Sequence, residues 1–231
     1  WIRKKLLGYK ASREEYFIFL KRKGAKIGGG VYIYSPNHTY IDVQFPWMLE
    51  IGNEVRITTG VTILNHDYSW SVWKTLTGEI VGGVGKVRIG NNVFIGMNAT
   101  ILMNTEIGDN VIIGAGSVVS GKVESNSVYA GTPARKIMTL EAYMDKRKAR
   151  EVDDAKEIAR TYYERLHKKP SKDILPAYFW IFESDENALE PIYKDRMMLC
   201  GNYEQSRDAF KKHKAVYKDY DEFLKDALKE M

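Results

Sequence analysis

The fold is indicated by residues 89–119, which read IGNNVFIGMNATILMNTEIGDNVIIGAGSVV. Aliphatic residues recur here at six-residue intervals, namely Ile89, Ile95, Ile101, Ile107, Ile113 and Val119, and glycine directly follows Ile89, Ile95, Ile107 and Ile113. Neither the 3.6-residue period of a helix nor the two-residue period of a strand produces this spacing. A unit of one short extended segment and one bend does, so the stretch predicts a β-solenoid.

The same spacing continues toward the N-terminus in the same phase. Its positions there are Ile27, Ile33, Thr39, Phe45, Ile51, Ile57 and Ile63. A second set of residues, mostly small or β-branched, follows four positions after ladder residues: Val31, Val55, Val61, Val93, Ala99, Val111, Ser117 and Val123. We expect each segment to bury one large and one smaller side chain, with Gly, Asn and Asp at the bends. The predicted solenoid therefore covers residues 27–138.

The ladder loses its phase between Ile63 and Ile89. This interval is not a multiple of six, so the sequence predicts an insertion that leaves the solenoid over residues 64–88. The insertion contains His66 together with several aromatic residues and glycines. A loop of this composition on a rigid scaffold is a natural position for function.

Helices are predicted on both sides of the solenoid. Residues 12–22 begin with the capping-box pair Ser12 and Glu15 and are followed by Gly24, so we expect a helical N-terminal cap over residues 1–26 that covers the open edge of the sheet. Residues 139–231 lack the six-residue period and predict a helical extension, with helices over 140–168 and 206–229. This extension either caps the far end of the solenoid or presents a surface to a partner.

Composition limits the function classes. The net charge of +5 is modest, and Lys and Arg alternate with Asp and Glu after residue 140, which indicates solvated helix faces and not a nucleic-acid surface. Cys200 is the only cysteine, so a reducing, cytoplasmic setting is the simpler expectation. We also expect no signal peptide and no membrane insertion, because the longest apolar run, residues 174–182, is short and contains Pro176. The chain begins at Trp1 and not at Met, which leaves open that residues precede it.

Two further strings carry a family resemblance. Residues 61–70 read VTILNHDYSW, and the coils end with IGAGSVVSGKV at 113–123 and AGTPARKI at 130–137. In this order the strings resemble the catalytic turn and the closing coils of the hexapeptide-repeat acyltransferases. The similarity covers about residues 12–140 and is nearest to sugar and capsular-polysaccharide O-acetyltransferases, with galactoside, maltose and xenobiotic acetyltransferases more distant. It implies an all-β solenoid of the left-handed parallel β-helix type, and a homotrimer with active sites between subunits.

The resemblance implies that His66 is the general base. Acyl transfer to a hydroxyl needs a base that is largely neutral near pH 7, and an imidazole with an unperturbed pKa of about 6.5 suits this task. In the similar enzymes the matching His deprotonates the acceptor hydroxyl, which attacks the thioester of acetyl-CoA directly, so Cys200 need not act as a nucleophile. Asp67 either orients the imidazole or stabilises a local turn. Trp70 and Trp73 either wall the acceptor pocket or anchor the loop.

The resemblance also implies positions for both substrates. The matching acetyl-CoA positions are Phe94, Met97, Ala115, Ser120, Gly121, Lys122, Arg135 and Lys136. Gly121 stands where relatives often have Lys, so the basic residue moves to Lys122, and both Lys122 and Lys136 equally fit a role as solvated surface charges. The acceptor candidates one coil before the catalytic turn are Asn37, Tyr40 and Asp42, and for Asn37 and Asp42 a turn role is the alternative. His38 departs from the galactoside-type pattern, in which an Asn aligns there.

A six-residue solenoid is also compatible with functions other than O-acetyl transfer. The γ-type carbonic anhydrases need three His ligands for a metal, whereas the predicted solenoid offers only His38 and His66, so no metal is predicted. A non-catalytic scaffold and an N-acetyltransferase of amino sugars or their nucleotides remain the alternatives. The sequence thus predicts an acetyl-CoA-dependent O-acetyltransferase acting on a carbohydrate hydroxyl of a capsule, lipopolysaccharide or glycan precursor.

Overall fold

The computed structural model describes residues 2–229, which form two compact units divided between Tyr143 and Met144. Within this range the α-helices are α1 Ile2–Leu7, α2 Arg13–Arg22, α3 Trp70–Thr77, α4 Leu140–Leu166, α5 Pro191–Met198, α6 Tyr203–Lys212 and α7 Tyr220–Ala227. The strands of the first half of the solenoid are β1 Lys26–Ile27, β2 Tyr32–Ile33, β3 Tyr40–Ile41, β4 Leu49–Ile51, β5 Arg56–Ile57 and β6 Thr62–Ile63. A hairpin of β7 His66–Asp67 and β8 Gly83–Val84 follows. The remaining strands are β9 Val87–Ile89, β10 Val93–Ile95, β11 Thr100–Ile101, β12 Thr105–Ile107, β13 Val111–Ile113, β14 Val118–Val119, β15 Lys122–Val123, β16 Ser127–Gly131 and β17 Ala134–Thr139.

Successive strands of the solenoid enter three sheets in turn. Sheet A contains β1, β4, β9, β12 and β15, sheet B contains β2, β5, β10, β13, β16 and β17, and sheet C contains β3, β6, β11 and β14. All neighbours in these sheets pair in parallel except β16 with β17. Ile89 pairs with Ile107, so ladder residues of adjacent coils are direct partners. The predicted parallel coil of six-residue units is therefore confirmed.

The interior is filled by the two side chains that each unit supplies. Ile57, Ile95 and Ile101 are fully buried, and so are the smaller residues Val61 and Ala99. Asparagines occupy left-handed bends at one corner, where the Asn92 amide donates to Asn110 and the Asn110 amide donates to Asn126. Asn tolerates the left-handed backbone region, and its side-chain amide hydrogen-bonds to the Asn of the next coil. Side-chain bonds therefore hold this corner in addition to the backbone ladders.

The first coils contain an irregularity that the sequence pattern hides. The inward residue of β3 is Ile41, which pairs with Ile63, so the predicted ladder position Phe45 is wrong. Thr39 is buried as expected, but it takes the second inward position, two residues before Ile41, and not the ladder position. Thr39 and Phe45 lie in longer turns that contain the 3₁₀ segments Pro36–His38 and Pro46–Met48. Together the two turns contain six residues more than regular turns would. The six-residue spacing is therefore in phase again at Ile51, although the chain has formed one strand fewer than the spacing predicts.

Helix α2 covers the first coil as predicted. The Ser12 side chain accepts a hydrogen bond from the Glu15 backbone N–H at 3.2 Å and caps the helix. Tyr16 and Leu20 are buried against the solenoid core. The Tyr16 hydroxyl accepts a hydrogen bond from the Ile41 backbone N–H at 3.0 Å, so the helix satisfies a donor at the open edge of the first coil.

The second unit has its own aromatic core. Ala155 and Ala159 of α4 are buried in a cluster with residues that include Phe182, Tyr193 and Phe223. The predicted helix over 140–168 is confirmed by α4, whereas the predicted continuous helix over 206–229 is wrong. Residues 213–219 are not helical. A new helix, α7, begins after Asp219, because the Asp219 side chain accepts a hydrogen bond from Glu222 N–H and caps it. No helix within residues 2–229 is long and apolar enough to cross a membrane.

Candidate active site

The candidate site lies at the corner between sheets C and A. The chain leaves the solenoid after β6 and re-enters it at β9, so residues 64–86 form an excursion at this corner. One coil earlier the same corner is the turn from β3 to β4, which covers residues 42–48. Stacking of coils therefore brings two segments that are distant in sequence into contact.

His66 is held by Asp42 from the preceding coil. The Nδ1 atom of His66 hydrogen-bonds to the Asp42 carboxylate, which is buried and also accepts the backbone N–H groups of Gln44 and Asn65. An ionised carboxylate can only accept hydrogen bonds, so this contact favours the imidazole tautomer with the hydrogen on Nδ1. The neutral imidazole then carries its lone pair on Nε2, the atom that a general base must present.

The imidazole ring is also fixed by packing. The Phe45 ring meets it edge-on, with centroids 5.5 Å apart and planes at 87°. The buried side-chain amide of Asn65 donates to the Phe45 backbone carbonyl at 2.7 Å, and the backbone carbonyl of Asn65 accepts from Gly85 N–H at 2.8 Å. Thus Asn65 ties the turn that carries Phe45 to the base of the excursion, and both constrain His66.

His66 opens onto a cleft of about 340 Å³. The cleft is lined by Gln44, Phe45, His66, Asp67, Tyr68, Trp70, Gly82, Gly83 and Val84. The rings of Tyr68 and Trp70 lie 4.5 Å apart and form an aromatic wall. Within residues 2–229 no protein group hydrogen-bonds to His66 Nε2, so this atom is available to a ligand in the cleft.

The geometry separates the two aspartates. Asp67 Oδ1 accepts hydrogen bonds from the Ser69 backbone N–H at 3.0 Å and from the Ser69 hydroxyl at 2.7 Å, and these bonds hold the pKa of Asp67 below its usual value. Asp67 therefore stabilises the local turn, and the expected alternative in which it orients the imidazole is not what the structure shows. Asp42, placed on the acceptor side by the sequence, is the residue that contacts the ring.

Of the remaining acceptor candidates, one lines the cleft and three do not. Trp70 lines the cleft, whereas Trp73 lies exposed on α3 and donates its indole N–H to Glu79 at 3.2 Å. Asn37 lies in the turn between sheets B and C, and Tyr40 points outward from sheet C, so neither lines the cleft. Lining residues that the sequence reasoning missed are Gln44, Phe45, Tyr68, Gly82, Gly83 and Val84. The aromatic and glycine content of the insertion was the signal for Tyr68, Gly82 and Gly83.

The acetyl-CoA positions form two exposed groups at different places on the solenoid. Ser120 and Gly121 lie at the corner between sheets C and A, the corner of His66, and Lys122 begins the following strand. The second group belongs to sheet B and to its corner with sheet C: Phe94, Met97, Ala115, Arg135 and Lys136. Within one chain the members of each group lie at the same place on the solenoid, but the two groups lie apart from each other.

Local structure explains the departure at Gly121. Its φ of +73° lies in the left-handed region, and the turn from Val119 to Val123 is shortened there. Lys122 instead lies on β15 beside Glu106 of β12. Lys136 forms an ion pair with Glu124 at 2.6 Å, which raises the pKa of Lys136, whereas Arg135 has no carboxylate partner among residues 2–229. Of the two cations on β17, Arg135 is thus the one without an ion pair among the described residues.

No group of three or more His, Cys, Asp or Glu residues that could hold a metal ion occurs in the described part of the chain.

Comparison with known proteins defines the class. Residues 86–121 match the family model of the bacterial transferase hexapeptide (six repeats). Protein CapG of Staphylococcus aureus is 38% identical over 127 residues, which cover 55% of this chain and 73% of CapG. The "Putative acetyltransferase YvoF" of Bacillus subtilis is 32% identical over 133 residues, covering 58% of this chain and 69% of YvoF.

A third relative carries a more specific name. The "Putative lipopolysaccharide biosynthesis O-acetyl transferase WbbJ" of Escherichia coli is 32% identical over 118 residues, covering 47% of this chain and 60% of WbbJ. The chain belongs to the bacterial hexapeptide-repeat transferase family, and within it the chain is an acyltransferase of the acetyltransferase type.

Proposed function

We propose that this protein transfers an acetyl group from acetyl-CoA directly to a hydroxyl of a carbohydrate, with His66 as the general base. The observation that carries the proposal is the arrangement of the imidazole. Its Nδ1 is fixed by the buried Asp42 carboxylate, and its Nε2 has no partner among the described residues and borders a cleft with an aromatic wall.

The chemical step follows from this arrangement. Nε2 removes the proton of the acceptor hydroxyl while the hydroxyl oxygen forms a bond to the thioester carbonyl carbon. The tetrahedral intermediate then collapses and breaks the carbon–sulfur bond. The CoA thiolate leaves and takes up the proton from the imidazolium, so the products are the acetyl ester and CoA with a free thiol, and no acyl-enzyme forms.

Asp42 acts through His66 and is a positioning residue. Its carboxylate fixes the tautomer in which Nε2 is basic, and its negative charge stabilises the imidazolium that forms during proton transfer. Asp42 is buried, so it does not itself touch a ligand in the cleft. The hydrogen bonds from Gln44 and Asn65 keep the carboxylate in place.

A trimer would unite the two groups of acetyl-CoA positions. In one chain, Ser120, Gly121 and Lys122 lie near the corner of the excursion, whereas the other group lies on sheet B and its far corner. A groove between the His66 corner of one subunit and sheet B of a neighbour would place both groups on one ligand. We therefore propose a homotrimer of left-handed coils with the active sites between subunits, with Arg135 as the candidate contact for a CoA phosphate.

The carbohydrate acceptor is supported by the cleft. Tyr68 and Trp70 offer aromatic faces on which the C–H groups of a sugar ring can pack. The lipopolysaccharide O-acetyl transferase named among the relatives agrees with this chemistry. N-acetylation is distinguished by the product, because hydroxylamine cleaves an O-acetyl ester and leaves an amide intact.

The variant His66→Ala tests the proposal. We expect kcat to fall by about 10²–10⁴ because the general base is removed, while acetyl-CoA binding by calorimetry is retained. His38→Ala is the matched control, since His38 lies in the turn between sheets B and C and hydrogen-bonds to Ser35 away from the cleft. Near-normal turnover by His66→Ala would exclude the mechanism, and absence of acetyl-CoA binding by the wild type would exclude the proposed activity.

A further inference from the structure

The charges around the cleft are all of one sign. Asp67 lies on its rim and Asp42 lies behind His66. Among the described residues that line the cleft, none is Lys or Arg. The basic residues of the proposed acetyl-CoA groove, Lys122, Arg135 and Lys136, are all on other segments.

Asp67 is available to a ligand on one side. Its Oδ1 atom accepts both hydrogen bonds from Ser69, and Oδ2 has no hydrogen-bond partner within residues 2–229. The side chain is half-buried, and the Ser69 bonds lower the pKa of the carboxyl, so it is ionised near pH 7. An ionised carboxylate can only accept, which suits a hydroxyl donor.

The opposite wall of the hairpin is open because it is made of glycine. Gly83 pairs with Asp67, and a Cβ built on Gly83 would lie 3.5 Å from Asp67 Oδ2. A Cβ on Gly82 would meet no atom within 4 Å. Neither glycine has a positive φ, so the backbone does not require glycine at these two positions. Their effect is to leave space beside the carboxylate.

We propose that this cleft selects an uncharged glycosyl acceptor, whose hydroxyl donates to Asp67, and disfavours uronic acids and sugar phosphates. The inference rests on the proposed acetyl transfer and names the substrate class at the same site. An anionic group at the position of the neutral hydroxyl would face Asp67, and no Lys or Arg is among the residues of the same chain that line the cleft. For charges about 4 Å apart in a solvated site, this repulsion corresponds to a discrimination of about fivefold or more.

Matched acceptor pairs test the inference. The full chain is assayed with acetyl-CoA and with two neutral glycosides, the amides of methyl glucuronoside and methyl galacturonoside, and with the corresponding methyl uronides. Both members of each pair lack the C6 hydroxyl and differ only in an amide or a carboxylate. We expect kcat/KM for each neutral glycoside to exceed that of its uronide by about fivefold or more at low salt, and we expect this ratio to shrink as ionic strength rises. Equal kcat/KM within the pairs would overturn the inference.

The variant Asp67→Asn assigns the selection to one residue. The amide oxygen can still accept from Ser69, so the turn is preserved while the charge is removed. We expect the neutral-to-uronide ratio to fall toward one, whatever happens to the absolute rates. Glu106→Gln is the control, because Glu106 lies on the outward face of sheet A and does not line the cleft, and it should leave the ratio unchanged. An unchanged ratio in Asp67→Asn would overturn the role of Asp67.

Binding separates this inference from the proposed reaction. Saturation-transfer NMR with His66→Ala measures how the same glycosides and uronides bind without turnover. Preferential binding of the neutral glycosides together with no acetylation by the wild type would support the charge selection and refute the proposed function. Acetylation of both classes at equal rates would do the reverse.

Discussion

The coils after the excursion and the coils before it follow the same plan but differ in regularity. From β9 to β14, residues 18 apart are partners, as Asn92 and Asn110 show at the corner. From β2 to β4 the turns are lengthened, and they contain the 3₁₀ segments Pro36–His38 and Pro46–Met48. The site residues Asp42, Gln44 and Phe45 lie in the irregular turns, whereas the regular coils supply the rigid support.

This contrast shows where a solenoid can hold reactive side chains. Side chains on the strands alternate between the core and the outer faces, so they cannot converge on one point. Turns at one corner are stacked one above the other, and there a longer turn can bring its side chains against the next one. His66 and Asp42 meet in this way across 24 residues.

On the irregular side, Asp42→Asn is expected to lower activity more than the other variants of this comparison. The amide has one acceptor oxygen and one donor group, so its NH₂ group turned toward Nδ1 would move the imidazole hydrogen to Nε2. We expect kcat to fall by about 10²–10³ with little change in acetyl-CoA affinity. Steady-state kinetics measures the loss, and ¹⁵N NMR of the imidazole reports the tautomer. Wild-type kcat together with the wild-type tautomer would show that Asp42 is only structural.

The regular side is tested by Ile101→Ala. Ile101 is fully buried, and its strand neighbours Ile63 and Val119 are buried as well. We expect a loss of about 2–5 kcal/mol in the free energy of unfolding, because the cavity is closed in by paired strands on both sides. Denaturant unfolding measures it, and specific activity per folded molecule should be retained.

Phe45→Ala is the matched comparison. Phe45 is only half-buried and contacts the His66 ring, so its removal should lower kcat more than it lowers stability. If Ile101→Ala and Phe45→Ala changed stability and activity in the same proportion, the division between support and site would be wrong.

The smallest effect is expected at the shortened turn, with Gly121→Ala. A non-glycine residue with positive φ costs about 1–2 kcal/mol, and no atom lies near the added Cβ to change this value. We expect a fall in Tm of a few degrees. Gly116→Ala is a second glycine with positive φ and open space, so it serves as the reference. A Tm equal to that of the wild type would show that the turn rearranges.

The regular coils could be predicted almost completely from the sequence, since spacing alone defines which side chains point inward. The register of β3 could not, because two lengthened turns add up to one unit and leave the phase intact at Ile51. The break between α6 and α7 was missed for a related reason. The apolar residues keep a helical spacing across Asp219, although its side chain caps a new helix.

The candidate site was predictable only in part. His66 stood out through its position in the insertion and its family resemblance. The pairing with Asp42 depends on which turns are stacked, and the error in the register of β3 concealed it. Asp67 was a candidate for orienting the His66 imidazole because it is the next residue in sequence. Adjacent side chains on a strand point to opposite sides, however, so sequence proximity did not indicate contact.

The way in which the excursion joins the solenoid has a consequence for protein engineering. Strand β4 pairs directly with β9, and β6 pairs directly with β11, so the ladders close across the point where residues 64–86 leave. The backbone bond from Gly85 N–H to the Asn65 carbonyl and the hairpin of β7 and β8 join the two ends of the segment to each other. The excursion can therefore be exchanged between homologues as a cassette, which would transplant acceptor preference onto an unchanged frame.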